Sequence, residues 1–192
     1  MKKFIPGQII KTAVTKKGKT VTFAYPKWED LDQMLEFINS VSKENTFIGF
    51  SGEIVTKPEE SKYLASLFPL IEANNAVVVH AFIDGQLAGR CDVLRNLALK
   101  EREKHIGTLG LILHKDYRGE GLGEQLLKTT IEEAKSALSG LRIIELSVFG
   151  NNHVAQSLYK KVGFKEWGKL PGGLLYKGEY IDHVSMYYPI VE

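Results

Sequence analysis

The segment Arg118-Gly119-Glu120-Gly121-Leu122-Gly123 lies between an apolar run, Leu109 to Leu113, and a stripe of apolar residues at helical spacing. A strand that ends in a glycine-rich turn and reopens as a helix is a strong local constraint on topology, and it is a device for holding phosphate. The first helical turn leaves backbone N–H groups unpaired, and the helix dipole favours negative charge at that end. Side chains at the glycine positions would keep an anion from the backbone. Arg118 adds a permanent positive charge at the mouth of the turn.

The spacing is not that of the two commonest phosphate loops. A dinucleotide fold requires G-x-G-x-x-G, whereas this turn reads G-x-G-x-G. A nucleoside-triphosphate loop requires G-x-x-x-x-G-K-[ST]; the Gly18-Lys19-Thr20 triplet has Ala13 where the first glycine belongs. The residues around Lys16-Lys17-Gly18 alternate as two strands, so that triplet reads as a hairpin turn. An ATP-binding reading of the glycine turn also lacks a metal-binding acid placed after a strand.

With 192 residues, 44% of them hydrophobic, the chain is read as one domain with a sizeable core. A formal net charge of +2 gives no argument for nucleic acid or a membrane surface as partner. The basic residues Lys2, Lys3, Lys11, Lys16, Lys17 and Lys19 gather near the N-terminus and read as a solvated hairpin face. The single cysteine, Cys91, excludes an intramolecular disulfide and suits a reducing compartment. It has no metal-ligand spacing around it and reads as a small buried residue. No apolar run reaches membrane-spanning length and no signal-peptide pattern is present, so the expectation is a soluble, cytoplasmic protein without a metal.

Along the chain, Gln8 to Tyr25 reads as a hairpin and Trp28 to Val41 as a helix with an apolar stripe. Thr56-Lys57-Pro58-Glu59 starts a second helix, which Pro69 should kink or shorten. Val77 to Ile83 and Gln86 to Arg95 flank the turn Asp84-Gly85. A strand from His105 to about His114 leads into the glycine turn and a helix through Leu138. Then follow a strand from Leu141 to Val148, a helix from Asn152 to Val162, and strands from Phe164 to Leu170 and Tyr180 to Tyr188. Pro171-Gly172-Gly173 reads as a mobile loop. This order predicts an α/β (α+β) fold with a mixed sheet and helices on both faces.

A second run, Asn152-His153-Val154-Ala155-Gln156-Ser157-Leu158-Tyr159-Lys160-Lys161-Val162-Gly163-Phe164, gives the turn its context. Together the two segments resemble the GNAT superfamily of acyl-CoA-dependent N-acetyltransferases, of the broad ribosomal-protein and amino-acid type. The phosphate pattern [RQ]-x-x-G-x-[GA] falls on Arg118, Gly121 and Gly123. The pattern N-x-x-A-x-x-L-Y-x-x-x-G-F falls on Asn152, Ala155, Leu158, Tyr159, Gly163 and Phe164. The likeness covers roughly Val77 to Tyr188. It implies a central sheet of about six to seven strands plus the N-terminal hairpin, splayed where Leu109–Leu113 and Leu141–Val148 run side by side. It further implies that residues 1–25 are an extension, 26–75 an acceptor-side region and 76–192 the acetyl-CoA-binding core.

On this resemblance acetyl-CoA is the acyl donor, transferred to a primary amine by direct attack in a ternary complex. The backbone of Leu111, Ile112 and Leu113 would pair with the pantetheine arm, and Arg118, Gly119, Glu120, Gly121, Leu122, Gly123 and Glu124 would hold the pyrophosphate. Asn152 and Tyr159 share a helix face two turns apart. Asn152 either meets the cofactor arm or caps the helix, and both can hold. Tyr159 is either the acid for the departing thiolate or a half-buried aromatic with its hydroxyl satisfied.

An alkylamine with a pKa near 10 must also lose a proton. Some relatives of this type carry a glutamate at the place of Ser147, two residues after Glu145, which could substitute or stand as an exposed strand acid. Others carry one near Gly107 and Thr108, where His105 is close by with a suitable ordinary pKa. A water-mediated route with no dedicated base is the third possibility. Glu44, Glu53, Glu179 and Asp182 are acids near loop ends where a cationic acceptor could be drawn, or solvated surface residues. The rival reading is an acyl-CoA-binding regulatory module that has lost transfer. A homodimer through the last strands would cover an edge.

Overall fold

The computed structural model describes residues 4–190; of the N-terminal lysine group, Lys2 and Lys3 lie outside them. The strands form one eight-stranded sheet in the order β1-β2-β3-β4-β5-β6-β8-β7. Six of these follow the two strands of the N-terminal hairpin, which join the same sheet through β2 and β3. The chain divides into two compact units, one running up to Leu94 together with Gly110–Ser139, the other Arg95–Leu109 together with the residues from Gly140 on.

In the first unit, β1 (Ile9–Val14), β2 (Thr20–Ala24), β3 (Ala76–Ile83) and β4 (Gln86–Arg95) pair antiparallel in succession, β4 reaching its last residue at the unit boundary. The β3–β4 turn holds Asp84 and Gly85 at φ 51° and 76°, the left-handed pair that a two-residue hairpin needs. α1 (Leu31–Lys43) and α2 (Lys57–Glu72) pack on one face of β3 and β4. Met34, Phe37 and Val41 of α1 meet Leu64 and Leu87, and Leu67 and Ile71 of α2 meet Ala76 and Val78. Each such buried aliphatic contributes about 1.5–3 kcal/mol relative to exposure.

α2 starts where the sequence signals it, with Thr56 and Glu59 forming a capping box. It is not cut at Pro69 but continues to Glu72, with Ala73 N donating to Pro69 O at 3.0 Å. The proline removes one backbone bond in the last turns, and the buried Leu67 and Ile71 on either side hold the helix in place. α3 (Leu122–Ala137) belongs to the same unit and buries Leu122, Leu126, Leu127, Ile131 and Ala134. Thr130 of α3 bonds the Cys91 side chain, which places α3 on the β4 face opposite the residues facing α2.

β5 (Ile106–Leu113) crosses the boundary between units. In the second unit its start pairs in parallel with β6 (Ile143–Phe149), from Ile106↔Ile143 to Thr108↔Glu145. β6 pairs antiparallel with β8 (Glu179–Pro189), which pairs with β7 (Lys165–Tyr176). α4 (His153–Val162) lies between β6 and β7 in the chain. The expected loop at Pro171-Gly172-Gly173 is part of β7. The register shifts between Leu170 and Leu174, so these residues form an irregular bulge held against β8.

Among the described residues no helix is long and apolar enough to cross a membrane.

Candidate active site

In the first unit β5 runs directly into the glycine turn. His114 N donates to Ala88 O of β4 at 3.0 Å, and the Ile112 carbonyl lies 3.2 Å from where a Cβ on Gly89 would stand. Backbone groups alternate between the two edges of a strand, so Ile112 faces β4 and Leu111 and Leu113 present theirs to the other edge. The β5–β6 register runs from Ile106 to Thr108. Of the three residues expected to meet the pantetheine arm, Leu111 and Leu113 therefore carry the outward polar groups, while Ile112 faces its neighbouring strand.

Arg118 is exposed, but its guanidinium is engaged within the protein. Its Nη1 and Nη2 donate to Glu44 Oε2 and Oε1 at 2.7 and 3.1 Å, and its Nε and Nη2 donate to Leu113 O at 3.1 and 2.8 Å. One guanidinium thereby ties the end of α1 to the end of β5. Glu44, which the sequence offered as an acid for a cationic acceptor, is committed to this pair.

The turn itself presents backbone. Gly119 and Gly121 adopt φ 77° and 84°, and Gly121 is the N-cap of α3, a conformation in which an L side chain is strained. The first intrahelical bond runs from Gln125 N to Gly121 O at 3.2 Å, so the amides from Gly119 to Glu124 precede the helical ladder. The side chains of these residues point elsewhere. Leu122 is fully buried in the core, and Glu124 bonds Lys128 at 2.8 Å. Glu120, also fully buried, accepts from Thr15 Oγ1 at 3.0 Å and pairs with Lys19 at 3.4 Å.

Glu120 thereby clamps the β1–β2 hairpin tip onto the turn, reinforced by Lys16 N donating to Glu120 O at 2.9 Å. The stem of Lys16 lies over Gly121, 3.3–3.5 Å from where a Cβ would stand. The sequence reads Lys16 as part of a solvated face; no short-range signal announces its place at the turn. Its ammonium has no ion-pair partner among the described residues, whereas Lys19 is held by Glu120 and lies over the Tyr117 ring at 5.0 Å. Beside the turn, Ser40 Oγ and His114 Nε2 are 3.0 Å apart.

In the second unit Asn152 caps α4, its Oδ1 accepting from Ala155 N at 3.1 Å. Tyr159 is buried, with its ring 5.6 Å from that of Phe164, which in turn lies 5.4 Å from the Tyr188 ring. Glu145 is half-buried and stands across from Thr108 and Tyr187 in the ladders. His105 is exposed just ahead of β5, its carbonyl accepting from Arg142 N and Ile143 N. Glu53 bonds the Ser51 amide in the loop ahead of α2, Asp182 pairs with Lys169 at 3.2 Å, and Glu179 is exposed at the β7–β8 turn.

Two features of the first unit were not singled out from the sequence. Asp30 and His80, both buried, pair at 3.2 Å. Burial lowers the His80 pKa below its ordinary value, against the opposing pull of Asp30. Beside them Arg90 Nη2 donates to Asp92 Oδ1 at 2.7 Å, and the Arg90 guanidinium lies 4.7 Å from the centre of the Tyr63 ring. Cys91, on the opposite face of β4, is fully buried, and burial pushes its thiol far above the usual range.

Comparison with known proteins gives this arrangement its family. L-amino acid N-acetyltransferase AaaT of Escherichia coli (strain K12) is 31% identical over 106 residues, 55% of this chain and 64% of that protein. The alignment therefore spans slightly less than two thirds of that relative's length. A GNAT-family acetyltransferase from Streptococcus pneumoniae has a TM-score of 0.79 at 29% identity, covering 88% of this chain and 99% of that one. The yncA protein of Salmonella typhimurium, solved with its cofactor acetyl-CoA, shares the fold with a TM-score of 0.77 at 17% identity, covering 90% and 95%. The family model of the acetyltransferase (GNAT) family matches residues 34–164, more than half of the 192-residue chain, and the chain belongs to that family.

Proposed function

We propose that this protein transfers an acetyl group from acetyl-CoA to a primary amine, by direct attack of the amine on the thioester. The observation that carries the reading is the outward edge of β5 at Leu111 and Leu113 running into the amide-lined turn that opens α3. An extended pantetheine arm can pair with such an edge as a short additional strand, and one N–H can polarise the thioester carbonyl. The amides from Gly119 to Glu124 suit a pyrophosphate. With Arg118 held by Glu44 and Leu113, the unpaired ammonium of Lys16 is the nearby cation suited to phosphate. Neither the turn nor the edge calls for a metal.

Tyr159 is assigned the role of proton donor to the departing thiolate, and Asn152 that of holding the start of α4 while offering its amide to the cofactor arm. His105 and Glu145 are retained as candidate proton acceptors from the second unit. Cys91 is no acyl carrier, because a buried neutral thiol is a poor nucleophile. Residues 26–75 are read as the acceptor side of a single catalytic domain. The acceptor is a protein N-terminus, a lysine or a small amine, and exposed Trp167, Leu170 and Leu175 on edge strand β7 favour a homodimer.

The test incubates the protein and acetyl-CoA with L-methionine, spermidine, kanamycin, a peptide with a free N-terminal alanine and an N-terminally blocked lysine peptide. Free CoA thiol should appear only with an accepting amine, and that amine should gain one acetyl group by mass. Tight acetyl-CoA binding with no transfer to any of them would instead mark an acyl-CoA-binding module.

A further inference from the structure

A carboxylate beside the proposed thioester site comes from β4 and not from β5. At Gly110, the residue before Leu111, a Cβ would lie 3.2 and 3.3 Å from Asp92 Oδ2 and Oδ1. The absent side chain lets the Asp92 carboxylate come up against the β5 backbone. Oδ1 is held by Arg90 Nη2 at 2.7 Å, while Oδ2 has no hydrogen-bond donor among the described residues.

We propose that Asp92 receives the ammonium of the acceptor and takes its proton before attack, with Arg90 and Tyr63 as positioning residues. This rests on the acetyltransferase reading above. The titratable and charged groups around Asp92 are Arg90 on β4, Tyr63 on α2 and His80 on β3; Glu60 on α2 acts on Arg90 and Tyr63, and Asp30 ahead of α1 is bonded to His80. Two carboxyl groups, Asp92 and Glu60, thus share one guanidinium, while Asp30 is bonded to His80, whose pKa burial lowers. Burial also holds the Glu60 carboxyl above its ordinary pKa of 4.5. A further cation suits this set. Two buried polar atoms here, Tyr63 Oη and Arg90 Nε, have no hydrogen-bond partner.

The proton balance is complete without a co-reactant. The acceptor R–NH3+ gives one proton to Asp92, and the freed lone pair attacks the thioester carbonyl carbon. The C–N bond forms and the C–S bond breaks, and the thiolate takes the second nitrogen proton by the route assigned to Tyr159. The third proton stays on the amide, and Asp92 returns its proton to water.

The experiment measures acceptor kcat/KM against pH, acetyl-CoA Kd and thermal unfolding for wild type, Asp92→Asn and Gly110→Ala, using the fastest amine of the panel. Asp92→Asn should lower kcat/KM about 100-fold near pH 7 and leave acetyl-CoA Kd within about twofold. The deficit should narrow toward about pH 10, where the amine is already neutral. Gly110→Ala crowds the carboxylate and should show a smaller loss with the same pH signature. An Asp92→Asn protein as active as wild type, or a deficit equal at every pH, overturns the proposal. If Asp92→Asn does not fold, a Gly110→Ala protein with the wild-type rate and pH profile overturns it as well. A wild type that binds acetyl-CoA but acetylates nothing overturns the transferase reading and this step with it, whereas an active wild type indifferent to Asp92 overturns this step alone.

Discussion

Arg118 and Glu44 form a two-pronged ion pair, at 2.7 and 3.1 Å, that joins the start of the glycine turn to the end of α1. The same guanidinium caps the Leu113 carbonyl, the last outward acceptor of β5. Its charge is therefore partly neutralised where a diphosphate is proposed to bind. The pair is half-exposed on the arginine side, so its own contribution to stability is at most about 1 kcal/mol. Its larger influence is on the charge offered to the cofactor.

From this, Glu44→Gln should tighten acetyl-CoA binding by a few fold at low salt, with the gain fading as salt is added. Lys16→Ala should weaken binding by about 10- to 100-fold, since a hydrogen bond to a charged group contributes about 1.5–3 kcal/mol. Calorimetric titration with acetyl-CoA at two salt concentrations measures both. Unchanged affinity in Lys16→Ala would remove that lysine from the phosphate site.

Glu120 makes a different kind of prediction, because its carboxylate is fully buried and bound to the hairpin through Thr15 and Lys19. Glu120→Ala leaves the buried Thr15 hydroxyl without its acceptor and should cost about 3 kcal/mol of stability. Thr15→Val removes the hydroxyl that donates to Glu120 and accepts from Lys17 N and Lys19 N at 3.3 Å, but Lys19 still pairs with the carboxylate, so it should cost less. Urea unfolding ranks the two, and equal midpoints for all three proteins would show that the hairpin is not clamped through this carboxylate.

Much of this architecture can be read locally. Asp84-Gly85, the Thr56–Glu59 box and the apolar stripes of α1 and α3 each carry their signal within a few residues, and the structure has all of them. Pro171-Gly172-Gly173 carries loop composition, but its conformation is decided by pairing with β8, where a Cβ on Gly173 would lie 2.8 Å from that of His183. Lys16 over Gly121 and Asp92 under Gly110 are likewise products of strand pairing and docking between distant segments. The local composition says that a lysine is at a turn and an aspartate is in a strand; it does not say against which glycine either will rest.

His80 should govern part of the acid stability. Burial lowers its folded-state pKa below the ordinary 6.5, with the hydrogen bond to Asp30 opposing. Below 6.5 the unfolded chain therefore binds more protons than the folded one, and stability rises with pH across that window. This contribution is fully present above 6.5 and is lost as pH falls through the folded-state value. Urea midpoints of wild type should drop between about pH 8 and about pH 5 more steeply than those of His80→Asn, which cannot titrate. Parallel slopes would mean that other groups set the acid limb.

Tyr159→Phe isolates the hydroxyl, because the ring is fixed by contacts that phenylalanine keeps. The residue is 7% exposed, its ring packs against Phe164 at 5.6 Å, and its carbonyl accepts from Phe164 N and Gly163 N at 2.9 and 3.1 Å. The fold and the start of β7 should therefore survive the change. If the phenol protonates the departing thiolate, kcat should fall about 100-fold while acetyl-CoA Kd stays within about twofold. The deficit should shrink with an acyl donor whose thiol has a lower pKa, since a better leaving group needs less help from an acid. A loss of the same size for both donors would assign the hydroxyl to positioning, and an undiminished kcat would leave the thiolate to take its proton from water.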